Sequence, residues 1–154
     1  MELKHSEYFK QSLHSVFASF SEWELSFHET REMNNKIEVQ EVSVAVGITG
    51  DLLGYVYLSV NQEMSKHITS QLLGGMEVPE LDELVMSAIG ELGNMIMGNA
   101  CASISCEGYH IDITPPSIIM GKEIVISSDV KIFLIPVVIP NIGDIQLDVA
   151  VKAA

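Results

Sequence analysis

The stretch IEVQEVSVAVGITGDLLGYVYLSV, residues 37–60, decides the reading of the fold. Its apolar residues recur at every second position, the period of a strand with one buried face. Ile37 and Val39 begin the alternation on odd positions, and Val42, Val44, Val46 and Ile48 continue it on even ones. The change of parity near Gln40-Glu41 predicts a β-bulge there. Gly47-Ile48-Thr49-Gly50-Asp51 offers turn chemistry. Leu53 to Val60 then resumes the pattern, with Val56, Leu58 and Val60 on one face. Two such runs around a glycine-bearing turn predict a β-hairpin.

On both sides of the hairpin the period lengthens to that of a helix. Upstream, Phe9, Leu13, Val16, Phe17, Phe20 and Trp23 recur at steps of three and four, and Ser6 stands where an N-cap is expected. The polar stretch Glu29 to Lys36 reads as loop. Downstream, Asn61 is placed to cap a short helix carrying Met64, Ile68 and Leu72, closed by Gly74-Gly75. Val78-Pro79 leads into a long helix from Glu80 to about Cys106, whose opening turn sets Glu80, Asp82 and Glu83 at the positive end of the dipole.

Beyond Gly108 strand character returns. His110 to Thr114 runs up to Pro115-Pro116, Ile124 to Ile126 is a short strand, and Lys131 to Ile139 and Ile145 to Lys152 flank a turn over Pro140 to Asp144. Pro136 inside one of these predicts an edge position or a bulge. The chain shows no linker, low-complexity tract or duplicated block. Residues 1–154 therefore read as one α+β domain, a mainly antiparallel sheet with two long helices packed on it.

Bulk properties exclude several function classes. Twenty-one acidic against 8 basic residues give a net charge of −13, and no Lys/Arg cluster offers phosphates a basic stripe, so a nucleic-acid role is excluded. The longest apolar run, around Ile132 to Ile139, is far too short to span a bilayer, and the polar start from Met1 to Lys10 lacks the layout of a secretory signal. A cytoplasmic protein without membrane insertion is expected. With 47% hydrophobic residues and a mean hydropathy of +0.28 the chain is apolar for a soluble protein, and burial of some surface against a second copy is expected. Cys101 and Cys106, five apart on the long helix, point to different sides and read as reduced structural thiols. The five histidines are scattered, with neither HExxH nor CxxC, so no metal site is expected.

The long helix carries the chemical signal. At about 100° per residue, Val85, Ala88, Leu92, Met95 and Ile96 gather on one side, the stripe expected to face the sheet. Ser87, Glu91, Asn94 and Gly98 gather on another, with Cys101 and Ser105 continuing the line. Glu91 and Asn94 are thus neighbours one turn apart. A solvated polar face would produce the same spacing. Yet Asn94 is a poor helix former in mid-helix, and Gly90, Gly93 and Gly98 each give up about 1 kcal/mol of helix propensity nearby. Close approach of a partner to the Glu91/Asn94 face would account for these glycines, and so would close packing of another element of this chain.

Ser87-x3-Glu91-x2-Asn94 with Pro116 downstream resembles the signature of the CheC/CheX/FliY chemotaxis phosphatases. The wider string, Leu81-Asp82-Glu83-Leu84 through Glu91-Leu92-Gly93-Asn94 to Asp112-Ile113-Thr114-Pro115-Pro116, is most similar to the CheX branch. So are the Gly47-Ile48-Thr49-Gly50 hairpin, Leu73-Gly74-Gly75-Met76 and the closing Val149-Ala150-Val151-Lys152, in the same order. CheC carries two such helices in a duplicated chain, whereas this chain carries one. A second E-x-x-N, Glu32-Met33-Asn34-Asn35, lies in the polar stretch with His28 at the place of Ser87 and Tyr57 at that of Pro116, and reads as coincidence.

The resemblance implies a CheC/CheX-like fold and a substrate, the acyl phosphate on the aspartate of a phosphorylated CheY-type response regulator. The regulator would bring its own Mg²⁺ and lysine, so the chain would need no cofactor of its own. Asn94 would hold the attacking water in line and Glu91 would pair with the regulator's lysine, because a carboxamide accepts and donates at once while a carboxylate only accepts. Ser87 and Pro116 would support the pair. Asn99, read as nearer the core, would be structural. By the same resemblance the chain is expected to be a homodimer through a continuous sheet. A second reading, a non-catalytic partner-binding domain like the middle domain of the flagellar switch protein FliM, remains open; the Glu/Asn pair argues for the enzyme.

Overall fold

The fold follows the alternation in a computed structural model that describes residues 3–154. Met1 and Glu2 of the polar start lie outside the described residues. Strands β3 (Val42–Gly50) and β4 (Leu52–Val60) form the expected hairpin, in register from Val42↔Val60 to Ile48↔Gly54. The turn is tighter than expected: Gly47 belongs to β3, and the chain reverses at Gly50, where φ is +106°. Val42, Val44, Val46 and Ile48 are all buried on one face with Val56, Leu58 and Val60.

Helix α1 (Ser6–Phe20) buries Phe9, Leu13, Val16 and Phe17 in the same core. A 3-10 turn over Leu3–His5 precedes it, so His5 rather than Ser6 is the N-cap, and no side chain caps the helix there. Helix α2 (Gln62–Leu72) starts as expected, with Asn61 Oδ1 accepting from Met64 N at 2.7 Å. Helix α3 (Glu83–Ser105) begins later than expected because Asp82 caps it, accepting from Leu84 N at 3.1 Å and Val85 N at 3.3 Å; Glu80 lies ahead of the helix. Ser12 Oγ of α1 donates to Ile96 O of α3 at 2.6 Å in the core, tying the two long helices together.

The sheet contains strands that the sequence pattern concealed. Residues 29–36, expected as loop, mostly belong to β2 (Arg31–Glu38), with a short β1 (Ser26–Phe27) before it. Most of β2 is exposed, so it lacks the apolar alternation that marks a half-buried strand. The change of parity at Gln40-Glu41 is a break between β2 and β3 rather than a bulge. Ile37 and Val39 pack on the opposite face of the sheet, in a small cluster with Ile132 and Ala150.

Strands β5 (Ile111–Ile113) and β6 (Ser117–Met120) both pair antiparallel with β3. The runs expected as two strands at Ile124 and Lys131 are one, β7 (Val125–Ile139), and β8 (Gly143–Ala153) closes the sheet. The order is β1-β7-β8-β4-β3-β5, with β2 also on β7 and β6 also on β3. This is an α+β fold with an antiparallel sheet and helices packed on it. Pro136 is not on an edge strand. It stands where β1 gives way to β2, between the pairs Phe27↔Val137 and Arg31↔Leu134, and its carbonyl accepts from His28 N at 3.0 Å. The missing N–H falls at that break in pairing.

Asp148 of β8 lies fully buried on the back of the sheet. Gln146 Nε2 donates to its Oδ2 at 2.7 Å and to Glu38 O at 2.8 Å, while Oδ1 has no partner. Burial pushes this carboxyl up to about 6, against the opposing pull of the Gln146 hydrogen bond. Among the described residues, no helix is long and apolar enough to cross a membrane.

Candidate functional site

Helix α3 is seated by an inner stripe of Val85, Ile89, Leu92, Ile96, Ala100 and Ile104, all buried. Ala88 and Met95, expected on that stripe, are only half-buried at its margins. A Cβ on Gly93 would lie 2.6 Å from Val44 Cγ1, so the helix rests directly on β3 and no larger residue fits without a shift. Close packing within the chain therefore accounts for Gly93. At Gly98 a Cβ would be 4.0 Å from Ile113 Cδ1, with room to spare. Internal packing does not require a glycine there.

With the inner stripe fixed, the opposite side of α3 faces outward. Ser87 and Glu91 are exposed, and Asn94 and Gly98 are half-buried. Pro116 is brought to this face from the chain between β5 and β6: its Cγ would lie 3.9 Å from a Cβ on Gly90, the neighbour of Glu91. The structure thus sets Ser87, Glu91, Asn94 and Gly98 along one side of α3, with Pro116 at its margin against Gly90. Cys101 departs from the line. It is buried, and burial pushes its thiol up to about 11, which makes it an inert packing group. Cys106 is exposed, and both cysteines are free.

Asn99, expected near the core, is exposed; its carbonyl accepts from Ser103 Oγ at 3.3 Å. The second E-x-x-N lies on β2 rather than a helix. Glu32 faces Lys131 at 3.9 Å, and Asn35 sits at a register shift with φ +74°. That arrangement does not reproduce a pair one helical turn apart. Gly47, expected in the turn, and Thr114, given no role by the pattern, are bonded to each other just ahead of the Pro116 segment: Thr114 N donates to Gly47 O at 2.9 Å and Gly47 N to Thr114 Oγ1 at 2.8 Å. The only signal for them was the pair of short strings in which they stand.

Glu91 and Asn94 do not line the cleft of about 470 Å³ beside Arg31, Pro136 and Gln146. They stand on an open helix ridge, which suits a partner that carries the reacting group on its own surface. A carboxylate and a carboxamide on such a ridge can pair with a cation and orient a water. Among the described residues, no group of three or more His, Cys, Asp or Glu is placed to hold a metal ion.

The family model "Chemotaxis phosphatase CheX" matches residues 42–137. The CheY-P phosphatase CheX of Thermotoga maritima is 39% identical over 118 residues, 76% of each chain. Among solved structures, a chemotaxis protein CheX from Desulfovibrio desulfuricans superposes with a TM-score of 0.85 at 23% identity, covering 99% of this chain and all of that one (100%). The CheX-CheY-BeF3-Mg complex from Borrelia burgdorferi gives a TM-score of 0.77 at 25% identity, covering 98% of this chain and 99% of that one.

Proposed function

The chain belongs to the CheX family of chemotaxis phosphatases, and on that premise we propose that it hydrolyses the aspartyl phosphate of a CheY-type response regulator. The observation that carries the reading is the placement of Glu91 and Asn94 one turn apart on the open ridge of α3, with Pro116 beside them. The reaction needs an in-line water and neutralisation of charge on the phosphoryl oxygens, and little covalent help. The Asn94 carboxamide oxygen accepts a hydrogen bond from the water and its NH2 donates one to a phosphoryl oxygen, aligning the water oxygen with phosphorus. The P–O bond to the aspartate breaks, leaving a carboxylate and inorganic phosphate. Glu91 pairs with the regulator's active-site lysine and fixes the docking register. Bound to the regulator, Mg²⁺ would supply charge neutralisation; the phosphatase residues position rather than ligate. Loss of aspartyl phosphate from labelled regulator, followed with and without this protein, tests the reading directly. Decay at the same rate in both would refute it.

The same reading includes a homodimer with a sheet continued across the two-fold axis. β5 and β6 border the Glu91/Asn94 ridge, whereas β2 lies at the far end of the sheet. β2 carries Arg31 at one end and Glu38 at the other, so antiparallel pairing of two copies sets opposite charges together. Pairing through β2 leaves both ridges open.

A further inference from the structure

Thr114 ends β5 in an unusual way. Its N–H donates to Gly47 O at 2.9 Å, as in an ordinary ladder. The return bond from Gly47 N, which in a ladder would reach the Thr114 carbonyl, goes instead to Thr114 Oγ1 at 2.8 Å. The hydroxyl thus replaces its own carbonyl, and the chain is free to turn away into Pro115-Pro116. The turn is held at both ends by one strand: β5 pairs with Ile48 to Gly50, and β6 with Val42 to Ala45. Pro116 and Ile118 are thereby set against Gly90, the residue before Glu91. Gly47 is matched to this clamp, since a Cβ there would stand 3.0 Å from both Thr114 Oγ1 and Cγ2. The contact joins Gly47-Ile48-Thr49-Gly50 to Ile113-Thr114-Pro115-Pro116, segments 67 residues apart.

We infer that Thr114 is a positioning residue for the phosphatase site, acting through the Pro116 rim beside Glu91; the inference rests on the aspartyl-phosphatase reading above. Thr114 touches neither water nor phosphoryl group in that reading. A loosened rim weakens engagement of the regulator and leaves the Asn94-held water step intact, so its loss falls on KM rather than kcat. The test compares wild type with T114V, T114S and G47A in hydrolysis of a response regulator carrying aspartyl phosphate, beside thermal melts and amide exchange at residue 47. T114V removes the acceptor, G47A displaces it from the other side, and T114S keeps it. The expected result is a KM raised about fivefold or more in T114V and G47A, an unchanged kcat, and T114S close to wild type. If T114V fails to fold, G47A against T114S decides the matter in the same way. Wild-type KM in folded T114V or G47A would overturn the clamp, and so would a T114S defect as large as that of T114V. Absence of hydrolysis by the wild type would instead remove the underlying phosphatase reading.

Discussion

Gly93 of α3 lies against Val44 of β3 so closely that a Cβ on the glycine would come 2.6 Å from Val44 Cγ1 and 2.9 Å from Cγ2. This contact sets the height and rotation of the helix, and with it the outward turn of Glu91 and Asn94. Overpacking a core contact costs about 1–3 kcal/mol, set against about 1 kcal/mol of helix propensity gained from alanine. G93A is therefore expected to lower stability and, by tilting the ridge, activity. Adding V44A should recover part of the stability, because the two positions share one contact. Denaturant melts of the four-member cycle check this, and strict additivity would contradict the direct contact.

N94A is expected to lower hydrolysis of the phosphorylated regulator by about 10²-fold or more, with fold and regulator binding retained. E91A is expected to weaken binding as well as turnover, since it removes a charge-assisted contact. Titration calorimetry against regulator held in its phosphorylated form, beside single-turnover hydrolysis, separates the two. Near-full activity in N94A would remove its role. E32A with N35A should leave hydrolysis within about twofold of wild type, since β2 lies at the far end of the sheet from the Glu91/Asn94 ridge.

Alanine at Gly98 meets nothing closer than 4.0 Å. G98A should stabilise the helix by up to about 1 kcal/mol and still impair docking, because the added methyl stands on the ridge one turn from Asn94. A raised melting temperature with unchanged regulator affinity would show that nothing approaches this position.

Asp148 makes stability depend on pH in a direction opposite to that of an ion-paired carboxylate. Its folded value of about 6 lies above the ordinary 3.8, so between those values the folded chain holds a proton that the unfolded chain has released. Its contribution is present below the ordinary value and is lost as pH rises through about 6, by about 3 kcal/mol in all. Raising pH from 5 to 7 should therefore cost wild type more stability than D148N, by about 1 kcal/mol. Urea melts at the two pH values measure the difference, and parallel behaviour of the two proteins would refute it.

Light scattering at micromolar concentration should give twice the mass of the 16.9 kDa chain. R31E should shift it toward monomer, because like charges would then stand opposite each other across the paired β2 edges. A stable wild-type monomer would sink the dimer, and an interface covering Asn94 would undermine the phosphatase reading too.

The sequence by itself determined the elements whose two faces differ. The β3–β4 hairpin, α1, the Asn61 cap and the outward pairing of Glu91 with Asn94 all follow from periods of two or 3.6, because burial of one face writes that period into the residues. The Ser87, Glu91, Asn94 and Pro116 spacing carried the family in the same local way. Elements without such a contrast stayed hidden. Most of β2 is exposed, so Arg31–Glu38 resembled a loop until its partner β7 was in place. Only the tertiary structure could decide why glycine stands at 93 and not merely near it, since the reason is a Val44 methyl 49 positions away in sequence. It also decided the Gly47–Thr114 clamp and the burial of Asp148. Backbone hydrogen bonds and close contacts between distant segments leave no periodicity along the chain, and their physical cause exists only once the sheet has brought those segments together.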